Sequence, residues 1–595
     1  MVDYSFTHAP SKINLNRTKF PLSFNRKMTM TAGRLYPIYC EEVVPGDTFQ
    51  VDISSLIRMA TPLHPVMDNC FADIAFFYCP TRIIWDSYTQ FMGEPPKDLY
   101  GDNTPLSVPQ LKPEADPETG EYFPTVPKSL LDYFALPTLA NLDDVSALQF
   151  RAFCRIWNDW YRAEELFKPI DIPTGDENIL LFNDRSRSAN DMFMDYDPDV
   201  YVFTTPMGGH LPPVAKYHDY FTSALVNAQR GEDVAIPLSG FAPVLAFDGL
   251  VNDPVAIGNG AGSTMMLRSS GDYADLSSVY GGSVSFERGH LDAESDGSPG
   301  GDIEGLTPSN LAAALGSVGK NNRDILNTYS TINDLRYAFA TQKLLEADNL
   351  FGTRYTELLY GHYGIEAPSG LLQRTEYLFG KQVPINITQV LQTSESTPTS
   401  PQGNTAAYSL TTDYSNGFTK SFVEGGFVIG VCCIRTEHSY QQAVNKQFDR
   451  KDRLDYFFPE FENVGDSPIL GKEIYNGDEN DLSVAFTKTL REYQNSVFGY
   501  QERFAEYKYH PNEICGEFRS NYPGGSLDVW HYADYYTEPP YLSTEWLRET
   551  RVNIDRTIAV SSDVSDQFLC DFYYKVEATR PMAKYSRPGG LYSRI

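Results

Sequence analysis

The sequence predicts a mainly-β protein: one large β-sandwich core that carries long insertions and a few helices. Three observations lead there. In 48–53, Phe49, Val51 and Ile53 alternate with Thr48, Gln50 and Asp52, the period-2 pattern of a half-buried strand. Near the other end, Phe568, Cys570, Phe572, Tyr574 and Val576 share one face while Asp571, Lys575 and Glu577 share the other. Strands at opposite chain ends cannot stand alone, so long-range pairing must close one sheet system. The apolar content also leans toward strand and interface formers, with 39 Tyr and 36 Phe against 12 Met in 595 residues.

The remaining elements follow in order. Residues 71–78 and 427–434 are short, nearly continuous apolar runs, as expected of strands buried on both faces. Between 143 and 167, Phe153, Ile156, Trp157 and Trp160 recur at helical spacing and form an aromatic stripe. From 330 to 348, Ile332, Leu335, Ala338 and Phe339 form a second stripe, with Thr331 and Asp334 as a capping pair. Both stripes are expected to pack against the sandwich rather than hold a cofactor. The segment 232–318 has 12 acidic and two basic residues, a net −10, and is built of turn formers such as GNGAGSTM and GHLDAESDGSPGGDIEG. It is expected to be a surface-projecting insertion. Three parts result: 1–231 with the first core strands, a basic arm and a helix; 232–318; and 319–595 with the remaining core and a basic tail.

Chemical signatures are sparse. Gly319-Lys320 is followed by Asn321 and preceded by Ala314, so no phosphate loop forms, and Gly258, Gly260 and Gly262 miss the dinucleotide spacing. The nine His include no i, i+4 pair, and neither H-E-x-x-H nor G-x-S-x-G occurs. No catalytic, cofactor or metal residue is assigned. The longest strongly apolar stretch, 427–434, falls far short of the ~20 residues that span a bilayer, so no membrane partner is expected. Eight Cys without a C-x-x-C read as reduced, core-type thiols of a protein made in a cytoplasm.

The chain as a whole carries −30, which makes it a poor non-specific binder of nucleic acid. Its cations gather at the ends. Residues 1–35 hold six basic residues against Asp3, and from Lys575 onward five stand against Glu577. The candidate nucleic-acid-facing residues are Arg17, Lys19, Arg26, Lys27, Lys584 and Arg587. An acidic, aromatic, loop-rich sandwich also admits an alternative, a carbohydrate-binding or carbohydrate-active protein.

Ordered motifs narrow this. EEVVPGDTFQVD (41–52), ATPLHPVMDNCFADIAFFYCPTRIIWDSYTQFMGE (60–94), INDLRYAFATQKLLEAD (332–348), YQQAVNKQFDRKDRLDYFFPEF (440–461) and VEATRPMAKYSRPGG (576–590) resemble the major capsid proteins of Microviridae, the gokushovirus branch above all. The resemblance spans nearly the whole chain outside 232–318. It implies a viral jelly-roll sandwich that assembles as a homo-oligomer into a T=1 icosahedral shell around circular single-stranded DNA. It further implies a threefold protrusion in the place of 232–318, used for host attachment through a cell-surface receptor, and a small basic DNA-packaging protein as partner. No catalytic residue comes with it. The expected location is the virion, assembled in a bacterial cytoplasm.

Overall fold

The computed structural model describes residues 17–94, 106–113, 127–138, 145–181, 210–231, 234, 332–352, 354–391, 393, 405–477 and 490–585, together with seven short strands between 244 and 313. The chain divides into two compact units, Met1–Arg230 with Ala347–Ile595, and Gly231–Glu346.

Nine strands build the two sheets of the first unit: β1 (Thr18–Pro21), β2 (Phe24–Met30), β3 (Tyr36–Val43), β4 (Thr48–Met59), β5 (Cys70–Pro80), β6 (Glu376–Pro384), β7 (Thr411–Ser421), β8 (Gly426–Thr436) and β9 (Phe568–Arg580). One sheet runs β1/β2–β9–β4–β7 and the other β6–β5–β8–β3. Every pairing in them is antiparallel. Consecutive strands mostly cross between sheets, so neighbours within a sheet come from distant sequence: Asp52 stands opposite Lys575, and Cys79 opposite Phe427. That is the connectivity of a jelly roll.

The alternation in β9 is read as expected. Phe568, Cys570, Phe572, Tyr574 and Val576 are buried, and Leu569, Tyr573 and Lys575 are exposed. The inner faces meet through rings: Tyr574 lies 5.1 Å from Tyr39 and 6.4 Å from Phe76, and Phe76 lies 5.7 Å from Phe418. These offset and edge-on contacts add to the apolar area they bury. Gly417 sits in a bulge of β7, between Asn416 and Phe418, where a Cβ would come 2.2 Å from the Val51 carbonyl oxygen. A side chain there would push β7 off β4.

β5 and β8 are nearly continuous apolar runs, broken by the ion-paired Asp73 and Arg435, because the outer side of their sheet is also covered. The stripe at 153–160 forms α1 (Leu148–Ile156), continued by a wider π-helical turn over Trp157–Tyr161. Phe153, Ile156 and Trp157 are buried, and Trp160 packs 5.4 Å from Phe77. The two indole N–H groups donate to the Pro213 carbonyl (2.8 Å) and the Thr375 hydroxyl (2.9 Å). The aromatic stripe packs against the sheet, as expected.

Three expectations need correction. The second stripe does lie on a helix, α2 (Ile332–Phe351), but Ile332 is 71% and Phe339 63% exposed, with Ala338 alone among the four buried. Helical spacing defines a face; it does not supply a partner for it. Thr331 lies outside the described residues. The 232–318 segment is not turn formers throughout. Val244–Ala246 pairs with both Val255–Ile257 and Leu311–Ala313, and two hairpins join Met266–Ser269 to Asp272–Asp275 and Val284–Glu287 to His290–Ala293. Strands of three or four residues hold too few alternations to register as a period. Finally, the cysteines are all outside disulfides, but Cys40 is half-buried and Cys515 exposed. Burial pushes the Cys40 and Cys433 thiols up to about 12.

Candidate nucleic-acid interface

The first strands place the candidate cations differently from one another. Arg17 is exposed and donates to the Thr48 hydroxyl (2.5 Å) and the Thr579 carbonyl (3.4 Å). Lys19 pairs with Glu577 on the adjacent β9. That contact, ahead of all others, holds the Glu577 carboxyl below its usual range. Lys27 sits opposite Asp571 and pairs with it at 3.3 Å, its side chain 70% exposed. Lys584 is exposed, 5.6 Å from the Tyr585 ring centroid. Arg587 lies outside the described residues.

Arg26 departs from this set. In β2 the side chains alternate, so Arg26 shares the inward side with Phe24 and Met28 and stands opposite the fully buried Phe572. Desolvation lowers its pKa, partly countered by Tyr574 and Cys40. Its Nη1 is buried with no hydrogen-bond partner among the described residues. Phe-Asn-Arg-Lys-Met is itself alternating, so the signal that separates Arg26 from Lys27 lies in the sequence.

The structure brings Lys19 and Lys27 onto the outward face of the five-stranded sheet. Lys575 joins them, pairing with Asp52 at 3.7 Å, as does the exposed Arg58 opposite Leu569. One row of this face reads Asn25, Tyr573, Ser54, Tyr414 across β2, β9, β4 and β7. Neither tyrosine stands out in sequence, because only the strand order makes them neighbours. Arg580, by contrast, is spent internally: it pairs with Glu41 (3.0 Å) and Asp47 (3.5 Å).

One buried cluster has the look of catalytic machinery. His438 Nδ1 meets Asp534 Oδ2 at 2.9 Å and Nε2 meets Glu549 Oε2 at 2.8 Å, while Lys216 Nζ reaches Asp534 Oδ2 at 3.0 Å. Asn553 (2.5 Å) and Tyr536 (3.2 Å) donate to Asp534, and Thr436 (3.0 Å) donates to Glu549. Burial disfavours the charged imidazole, but Asp534 and Glu549 outweigh it and raise its pKa to about 9. Burial would likewise raise Asp534, yet His438 and Lys216 hold it well below its usual range. Both ring nitrogens are committed and the His438 side chain is 1% exposed. The imidazole therefore has no nitrogen left to move a substrate proton, and the cluster ties residues 216, 438, 534 and 549 together. Among the described residues, no group of three or more His, Cys, Asp or Glu is arranged to hold a metal.

Strands in this order make a jelly-roll sandwich, an architecture found in viral capsid proteins as well as in lectins. The chain belongs to the capsid protein (F protein) family, whose model matches residues 10–590. It is 35% identical over 590 residues to "Capsid protein VP1" of Bdellovibrio phage phiMH2K, covering 98% of this chain and 97% of that one. It is 32% identical to "Capsid protein VP1" of Chlamydia phage 1, over 98% of this chain and 97% of that one. To "Capsid protein VP1" of Spiroplasma virus 4 it is 31% identical, over 97% and 96%. The resemblance to Microviridae shell proteins holds, and the family's role is structural: subunits of a multimeric phage capsid.

Proposed function

We propose that this capsid protein builds a T=1 icosahedral shell around a circular single-stranded DNA genome, without any catalytic step of its own. The observation that carries this reading is the jelly roll, the architecture of many viral shells, in a chain similar over nearly its full length to capsid proteins of phages. The net charge of −30 opposes genome packing. Lys19, Lys27 and Lys584 supply few cations per subunit, so a small basic packaging protein enters with the DNA and carries most of the neutralisation. Eight cysteines outside disulfides, one of them exposed, agree with assembly in the host bacterial cytoplasm.

Segment 232–318 is the outward protrusion at the threefold axes and meets the host receptor. Its acidity supports this, since carboxylates are better placed away from DNA. Deleting residues 255–305 removes both hairpins and leaves the Val244–Ala246 and Leu311–Ala313 pair at the base. The expected outcome is particles that assemble and sediment as shells but lose most of their attachment to host cells. Folded subunits that no longer form shells would count against an external, dispensable protrusion.

A further inference from the structure

The two sheets of the sandwich differ in what lies outside them. The outer side of β5 is packed by Trp160 and Tyr161, at 5.4 and 6.1 Å from Phe77. The outward face of the five-stranded sheet carries exposed side chains instead, among them Tyr573 at 49% and Tyr414 at 60%. In the row Asn25–Tyr573–Ser54–Tyr414 the two tyrosines rise from backbones two strands apart, about 9.5 Å at ordinary strand spacing. The residue between them, Ser54, is too small to fill the gap. A planar ring set between two others needs two contacts of about 3.5–4 Å, which that gap accommodates.

We infer that this outward sheet face is a binding surface for single-stranded nucleic acid, with bases stacking on Tyr573 and Tyr414 across Ser54. Asn25 at the end of the row offers both a donor and an acceptor to a base edge. Lys27 and Lys575 flank the row, their side chains 70% and 55% exposed, and can exchange their carboxylate partners for phosphates. Their contacts with Asp571 and Asp52, at 3.3 and 3.7 Å, keep the face near neutral in an otherwise acidic chain. Stacking is tolerant of sequence because every base has a π-face, as a surface that meets a whole genome requires. The rows on either side, Lys575–Asp52–Asn416 and Asp571–Leu56–Thr412, are polar except for Leu56, unlike the desolvated centre of a protein–protein contact. The assignment rests on the reading that the shell encloses single-stranded DNA.

The test uses full-length unassembled protein titrated with a fluorescein-labelled oligothymidine, read by anisotropy between about 50 and 200 mM salt. Tyr573→Ala with Tyr414→Ala is expected to weaken binding at least tenfold, while the Tyr→Phe pair keeps it. Lys27→Gln with Lys575→Gln is expected to reduce the salt slope by about 1.4. Unchanged affinity in the Tyr→Ala pair, or no binding by the wild type, overturns the inference. So does a Tyr→Ala pair that binds oligonucleotide normally but fails to assemble, since a second copy of the chain would then cover the face. Binding through the tyrosines together with purified particles empty of DNA would leave the surface standing and remove the enclosing role instead.

Discussion

Phe572→Ala is expected to destabilise the subunit by about 3–5 kcal/mol, the cost of emptying a fully buried aromatic site. Phe572 is 0% exposed in the middle of β9, and its ring lies 6.4 Å from that of Tyr574. β9 is paired on both sides, to β2 and to β4, so a cavity there loosens the centre of the sheet. Lys575→Ala, three residues on and facing solvent, is expected to cost about 0.5 kcal/mol or less. Urea denaturation of the two variants checks both values. Comparable losses would mean that the register of β9 is wrong.

The second large effect is expected at the buried charge cluster. Asp534→Ala removes the carboxylate shared by Lys216 and His438, stranding an ammonium on a residue 5% exposed. Breaking a buried pair this way costs about 3–5 kcal/mol. A loss near that of an average substitution, about 1 kcal/mol, would show that the Lys216 charge finds other solvation. The same cluster sets a pH window. The pKa of His438 is raised from 6.5 in the unfolded chain to about 9 in the fold. Its protonated form is therefore favoured by folding: the contribution is fully present below about pH 6.5 and is lost as pH rises through about 9. The pKa of Asp534 is depressed, so its contribution is present above the unfolded carboxylate value of ~3.9 and is lost only as pH falls. The urea midpoint of the wild type is expected to decline between about pH 6.5 and 9, and His438→Gln to flatten that decline. Equal slopes in both proteins would assign the charge elsewhere.

How much of this was legible before the structure depends on the range of the interaction. β4 and β9 were readable because one face of each is buried and the other is not, and that contrast is written in alternate residues. β5 and β8 were readable as doubly covered strands because both of their faces are apolar. What covers them was readable only in part: α1 showed as a stripe, but not that it lies on β5. Sheet order was out of reach, because Asp52 and Lys575 are brought together by topology and not by spacing. For the same reason Tyr414 carries no sign in sequence of standing beside Ser54, and residues 216, 438, 534 and 549 give no hint of one cluster. Arg26 is a different case. Its inward side follows from the alternation of β2, but reading the arm as a run of charge overrides the period that places each charge.

An icosahedral reconstruction of purified particles with their nucleic acid would show whether the chain forms a shell and whether its five-stranded sheet faces an enclosed single-stranded genome. The expected result is a T=1 lattice of this chain, with Tyr573, Tyr414 and Lys27 turned toward density inside the shell. A lattice in which that sheet face points outward, or a preparation in which the folded chain remains monomeric, would contradict it.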